Sequence, residues 1–262
     1  MRFVAVAVAL ASASVACAAT IKPDPAAVAA AKVPFPYSDW DALLKEYVDG
    51  KGRVDYNAID RAAFDKVFAA VAASSPKKTP DKYPSQDAQK AFYLNAYNVL
   101  AWKDVLSRLP KLKNVNDSKL SFFYITKFVV GGDDMNLYDL ENKIVRPQFK
   151  DARMHFALNC ASGGCPQLPA EAFTPAKVDE QLSREARKFC NEKRNVDFDA
   201  ATKKLKLSHI FDWYKDDFGK EPAKVIAWIN HYRSEGAQLP ADGKIEYVDY
   251  DWTLNDQHLL NR

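Results

Sequence analysis

From residue 37 onward, apolar positions recur at helical spacing: Trp40, Leu43, Leu44 and Val48 mark a first helix that Gly50-Lys51-Gly52 ends. After an extended stretch at 53–56, Phe64, Val67, Phe68 and Val71 predict a second helix. The segment SSPKKTPDKYPSQ is polar and rich in proline, hence a loop. Residues 87–109 are apolar over most of a helix circumference, which predicts a helix at the centre of a domain. That helix nevertheless carries Asn95 and Asn98. A buried amide needs partners, or costs about 1–3 kcal/mol per unpaired group.

The second half alternates more. Residues 127–130 read as a strand turning at Gly131-Gly132, and Asn136 reads as a cap on a helix with Leu137, Leu140, Ile144 and Val145 inward. Glu141 falls on or beside that apolar face, and Pro147 is expected to stop the helix. Residues 153–158 read as a buried strand. Thr174-Pro175 opens a helix that buries Val178, Leu182, Ala186 and Phe189, with Cys190 one turn after Ala186. Residues 204–207 form a strand, Ser208 caps HIFDWYKDDF, Pro222 starts a helix through Tyr232, and 245–252 form a last strand. About seven helices and four or five strands predict an α+β fold, a mainly helical single domain around a small, mostly antiparallel β-sheet.

The chain's start changes the picture. MRFVAVAVALASASVACAAT has the basic, apolar and small-residue regions of a secretory signal peptide over residues 1–18. Lipidation at Cys17 is the competing reading, which Ser14 disfavours. Residues 19–36, rich in Pro and Ala, are expected to be a strap or tether before a globular domain at 37–262. The expected location is therefore secreted or extracellular, or periplasmic or lipoprotein in a bacterium. No later stretch is long and apolar enough for a transmembrane segment. The net charge is only +3, with basic and acidic residues interspersed, so no nucleic-acid footprint is present. Asn116-Asp117-Ser118 is a glycosylation sequon if the source is eukaryotic.

The chemistry concentrates in HFALNCASGGCPQ, residues 155–167. After the leader, Cys160, Cys165 and Cys190 remain, an odd count. On a flat strand His155, Ala157 and Asn159 share one face, and Cys160 points the other way. His155 meets a thiol only if the chain bends near Asn159 or the glycine turn folds Cys165 back. Either thiol beside an imidazolium would gain thiolate character, with Glu141, Asn95, Asn98 or Asn159 orienting the ring or stabilising an oxyanion. Gly163 and Gly164 would offer free backbone N–H groups to that oxyanion. Against this stands a core histidine with two cysteines acting as small apolar residues. A Cys160–Cys165 disulfide is a further option, although the spacing is not CxxC.

No metal site is expected, because the histidines are scattered, and no cofactor is implied, because P-loop and dinucleotide glycine patterns are missing. Asp212, Trp213, Asp216 and Asp217 read as a solvated helix face, with sugar or cation binding as the alternative.

Several blocks together, KAFYLNAYNVLAW, LYDLENKIVR, RMHFALNCASGGCPQL, LSHIFDWYKDDFG and YDWTLN, resemble the successive signature blocks of the DUF547 family. The resemblance runs from about Tyr37 onward. The family has no assigned activity. Its His, Asn-Cys and Cys-Pro positions correspond to His155, Asn159, Cys160, Cys165 and Pro166, and Gly164 stands where serine is common. Some members resemble fusions with glutaredoxin modules, which implies thiol chemistry. Plant-type relatives that keep the first cysteine alone point to Cys160. Cysteine hydrolases and transglutaminases offer only an analogy, with Cys before His in the chain.

The expected function is a secreted thiol-dependent hydrolase or acyltransferase, with Cys160 or Cys165 as nucleophile and His155 as base. The alternatives are a non-catalytic module binding a small molecule or peptide, and a thiol/disulfide role for Cys160 and Cys165.

Overall fold

The structure, a computed structural model, describes residues 20–260. The expected leader and Cys17 lie outside them. β1 (Thr20–Ile21) pairs with a strand far along the chain, and α1 (Pro25–Ala29) is capped by Asp24, whose Oδ1 accepts from the Ala26 and Ala27 N–H groups. Phe35 is buried, and its N–H donates to Tyr83 Oη at 3.0 Å. Residues 20–36 are thus fastened at both ends.

α2 (Tyr37–Tyr47) and α3 (Arg61–Ala73) follow the predicted spacing. α4 (Gln86–Arg108) begins at the Ser85 cap, and its middle is almost wholly buried, Asn95 and Asn98 included. Such a helix depends on tertiary packing, since no face of its middle, residues 91–102, meets water. Trp40, Phe64 and Trp102 pack ring against ring across α2, α3 and α4, with Trp40 and Trp102 centroids 4.8 Å apart.

β2 (Lys127–Val130) runs parallel to β1 and antiparallel to β3 (Asp133–Met135). Next comes a helical stretch that starts as α5 (Leu137–Asp139), widens to π over Leu140–Val145 and finishes as α6 (Arg146–Phe149). Pro147 therefore does not stop this helix. It stands at the start of α6, where the π-bonded stretch passes into α.

Residues 153–158 are not a strand. Ala152–Phe156 forms a 3₁₀ helix whose first turn is held by Asp151, which accepts from the Arg153 N–H at 3.1 Å. The backbone groups a strand would pair are taken instead by Asn98, which binds Ala157 O and Asn159 N–H at 3.0 and 2.9 Å. The face-sharing expected of His155 and Asn159 disappears with the strand.

α7 (Val178–Asn191) begins three residues after Pro175, and its buried stripe ends at Phe189 and Cys190. β4 (Val196–Asp199) pairs antiparallel with β5 (Lys204–Ser208). After α8 (Ile210–Trp213) and α9 (Pro222–Tyr232), β6 (Lys244–Val248) pairs parallel with β5. The last strand is shorter than expected. Residues 250–255 leave the sheet and cross to the cysteine loop, where Ser162 bridges Leu254.

The fold is α+β, as the pattern predicts. Its strands form two mixed three-stranded sheets rather than one mostly antiparallel sheet. Two buried clusters result: a large one on α2–α4 and the first sheet, and a smaller one joining Phe156, Phe189, the second sheet and α9. Leu158 belongs to the first and Phe156 to the second, so the segment from His155 onward lies on their seam. Among the described residues, no helix is long and apolar enough to cross a membrane.

Candidate functional site

The cysteine loop is wired to α4 and to the chain's end. Asn98 holds its entry. Asn159 Nδ2 donates to Pro166 O at 2.8 Å, while its Oδ1 accepts from the Ala161 N–H at 2.9 Å and from Asn255 Nδ2 at 3.2 Å. Ala161, fully buried between the cysteines, is left-handed with φ 62°. That conformation costs an L-residue ~1–2 kcal/mol, and the bond to Asn159 holds it in place. Asn95 works elsewhere, donating to Ala91 O and Phe173 O and accepting from the Phe173 N–H. These three asparagines are buried struts, and none of them lines the pocket described next.

Glu141, His155, Cys160 and Cys165 do share one pocket, of about 410 Å³. The two cysteines form a disulfide at its base, with Cys160 half-buried and Cys165 only 3 % exposed. The Cys165 sulfur receives the Cys160 backbone N–H at 3.0 Å and the Tyr250 hydroxyl at 3.3 Å. The Ser162 hydroxyl lies 3.2 Å from the Cys160 sulfur and 3.3 Å from that of Cys165. Burial holds the Tyr250 phenol well above its ordinary value, so it remains a donor.

The glycine turn does not form an oxyanion hole. The Gly163 and Gly164 N–H groups each donate at 2.7 Å, to Thr253 O and Asp251 O. Both glycines are there for space: a Cβ on Gly164 would come within 2.9 Å of the Tyr250 ring, and one on Gly163 within 2.7 Å of Asp251.

His155 makes no hydrogen bond to either sulfur among those of the described residues. Its Nε2 is 2.7 Å from Asp217 Oδ2, and its Nδ1 is 3.6 Å from Glu141 Oε1, an ionic contact rather than a hydrogen bond. The ring stacks on Tyr214 at 3.9 Å. Burial opposes its charge, but Asp217 and Glu141 outweigh burial and raise its pKa. On Asp217, burial is likewise outweighed by His155 and Arg146, which hold its carboxyl at about 2. Arg146 Nε donates to Asp217 Oδ2 at 2.7 Å. Burial first, then the charge of Glu141, holds the Tyr97 and Tyr214 phenols well above their ordinary value.

Asp217 and Trp213 therefore do more than the solvated face expected of them. Trp213 lines the pocket with Trp252 and Tyr250, its centroid 5.8 and 4.8 Å from theirs. Lys119 Nζ sits 4.5 Å over Trp252. Arg146, Ser162, Tyr250, Trp252 and Lys119 were not legible as site residues. The only local signal was the aromatic and acidic density of DWYKDD and YDYDW. Among the described residues, no group of three or more His, Cys, Asp or Glu side chains is placed to hold a metal ion.

An α+β domain with a disulfide at the base of an aromatic pocket is the class these features define. Residues 81–190 match the family model of DUF547, described as a protein of unknown function, so the chain carries a DUF547 domain and this segment belongs to that family. The match contains Glu141, His155 and both pocket cysteines, and ends before Trp213, Asp217, Tyr250 and Trp252. No curated protein and no solved structure matches the chain.

Proposed function

We propose that the domain carries out thiol–disulfide exchange through Cys160 and Cys165. The observation that supports this reading most is the asymmetry between the two sulfurs. Cys160 is the more accessible one, whereas Cys165 is buried and accepts from the Cys160 N–H and, at 3.3 Å against 3.5 Å for the Cys160 sulfur, from the Tyr250 hydroxyl.

An incoming thiolate attacks the Cys160 sulfur. The Cys160–Cys165 bond breaks, and its electron pair leaves on Cys165 as a thiolate that those donors stabilise. A better-stabilised leaving thiolate speeds the step. A second substrate thiol then attacks the substrate's sulfur in the mixed disulfide and releases Cys160. The substrate pair is oxidised to a disulfide, the cysteine pair is reduced, and the two substrate protons end on the two cysteines. Export by the leader read at residues 1–18 belongs to the same proposal, since disulfides persist in oxidising compartments.

The hydrolase or acyltransferase reading stands second. What favours it is the shared pocket, because reduction would free Cys160 in the same cavity as His155 and Glu141. It needs a ring nitrogen to take the thiol proton, and both nitrogens face carboxylates.

The test is trapping. With the full chain, Cys165→Ser should form a stable mixed disulfide at Cys160 with 2-mercaptoethanol disulfide, seen as added mass on the peptide that holds Cys160 and not on the one that holds Cys17. Cys160→Ser should react far more slowly at Cys165. Cys190 stays silent in both, since burial pushes its thiol up to about 12. Equal reactivity of the two variants, or none, would refute exchange. A reduced wild type that turns over an ester or amide and loses that activity in His155→Gln would promote the second reading.

A further inference from the structure

The charge and shape of the pocket narrow the thiol it takes. Lys119, Arg146, His155 and Glu141 line it. Arg146 is engaged with Asp217 and Asn142, and His155 with Asp217 and Glu141. Lys119 differs. It is exposed at the mouth, held over the rings of Trp252 and Trp213 at 4.5 and 5.8 Å, and has no ion pair among the described residues.

Among the described residues, most of the exposed large apolar side chains lie at or next to this pocket. Tyr124, Tyr138 and Trp213 line the pocket, and Leu120 follows Lys119. Tyr124 and Tyr138 pack together with centroids 4.7 Å apart. A rim of rings around one unpaired cation favours a ligand with an apolar body and an anionic end.

The recess sets the size. A cavity of about 410 Å³ lies within the range of small-ligand pockets, and its disulfide is at the base. A small molecule can enter whole.

Resting on the exchange reading, we infer that the substrate is a small thiol bearing a carboxylate, and that Lys119, backed by Trp213 and Trp252, receives that carboxylate. Lys119 is a specificity residue in this assignment. It binds the end of the ligand away from the sulfur and takes no part in bond exchange.

The experiment uses the oxidised full chain and two probes, 3-mercaptopropionate and 2-mercaptoethanol. The rate of opening of Cys160–Cys165 is compared per thiolate, each divided by the same thiol's rate on the denatured chain, because a more basic thiolate is intrinsically faster. The anionic thiol should react about fivefold faster, the effect of one exposed charge pair. In Lys119→Gln that ratio should fall to about one, and in Lys119→Glu below one, by the same charge argument. Lys206→Gln, an exposed lysine on β5, should leave it unchanged. Equal rates for the two thiols, a ratio that survives Lys119→Gln, or a reduced peptide dithiol that outpaces both would overturn the inference alone. If neither thiol opens the disulfide in the folded chain, while both open it after denaturation, the exchange reading fails and takes this inference with it.

Discussion

The base and the wall of the pocket are built by different physics. The base, residues 155–166, is held by buried amide hydrogen bonds from Asn98 and Asn159 to backbone groups that would otherwise be unpaired. The wall, from α8 to Trp252, is held by ring contacts and by partly exposed ionic bonds around Asp217. Losing a buried strut strands polar groups in the core, whereas trimming a ring at the mouth exposes little. The DUF547 match covers the base and stops before the wall. The difference separates a fixed reactive loop from the surface that decides what reaches it.

The largest expected effect breaks the base. Asn98→Ala leaves Ala157 O and the Asn159 N–H without partners, and Asn159→Ala strands Pro166 O and the Ala161 N–H. Each should cost about 3 kcal/mol, read from the denaturant midpoint. A loss below about 1 kcal/mol would mean that the amides are not the struts described.

Gly164→Ala tests where base and wall touch. The new methyl meets the Tyr250 ring. The expected cost is about 1–2 kcal/mol from forced displacement, with a slower opening of the disulfide because Tyr250 leaves the Cys165 sulfur. Loss of stability at an unchanged rate would show that the Tyr250 bond is dispensable.

Asp217→Asn should cost less, about 1 kcal/mol, because the pair is partly exposed. The sign with pH follows from both shifts. Asp217 is lowered from 3.8 to about 2, so its contribution is complete above the ordinary value and is lost as pH falls toward 2. His155 is raised from 6.5, so its contribution is complete below that value and is lost as pH rises through the raised pKa. The advantage of the wild type should therefore be widest between about pH 4 and 6.5. NMR titration of His155 should show a lower pKa in the variant, and an unmoved pKa would remove Asp217 as its partner.

Trp213→Ala should change stability least, within about 0.5 kcal/mol, since the ring is 44 % exposed. It should still slow the anionic thiol relative to the neutral one. A stability loss as large as that of Asn98→Ala would erase the distinction between base and wall.

Much of the fold was legible. The spacing of Phe64, Val67, Phe68 and Val71, and the nearly uniform apolarity of 87–109, follow from a helix having to bury its side chains. Asn95 and Asn98 were noticed because an amide there must have partners, although their partners turned out to be backbone groups and not an oxyanion. Residues 153–158 misled, because a short apolar run fits a strand or a buried turn equally well. There the choice was made by Asn98, about sixty residues away in the chain.

By itself, then, the sequence determined the α+β class and the central helix, and offered Glu141, His155, Cys160 and Cys165 as candidates together with Asn95, Asn98 and Asn159, because local periodicity and residue chemistry are written in consecutive positions. The tertiary structure alone decided that Cys165 sits beneath Tyr250, which lies 85 residues away, and that His155 is held by Asp217, 62 residues away. Such contacts depend on how two cores pack against one seam, and no local pattern encodes which distant hydroxyl or carboxylate the packing brings there.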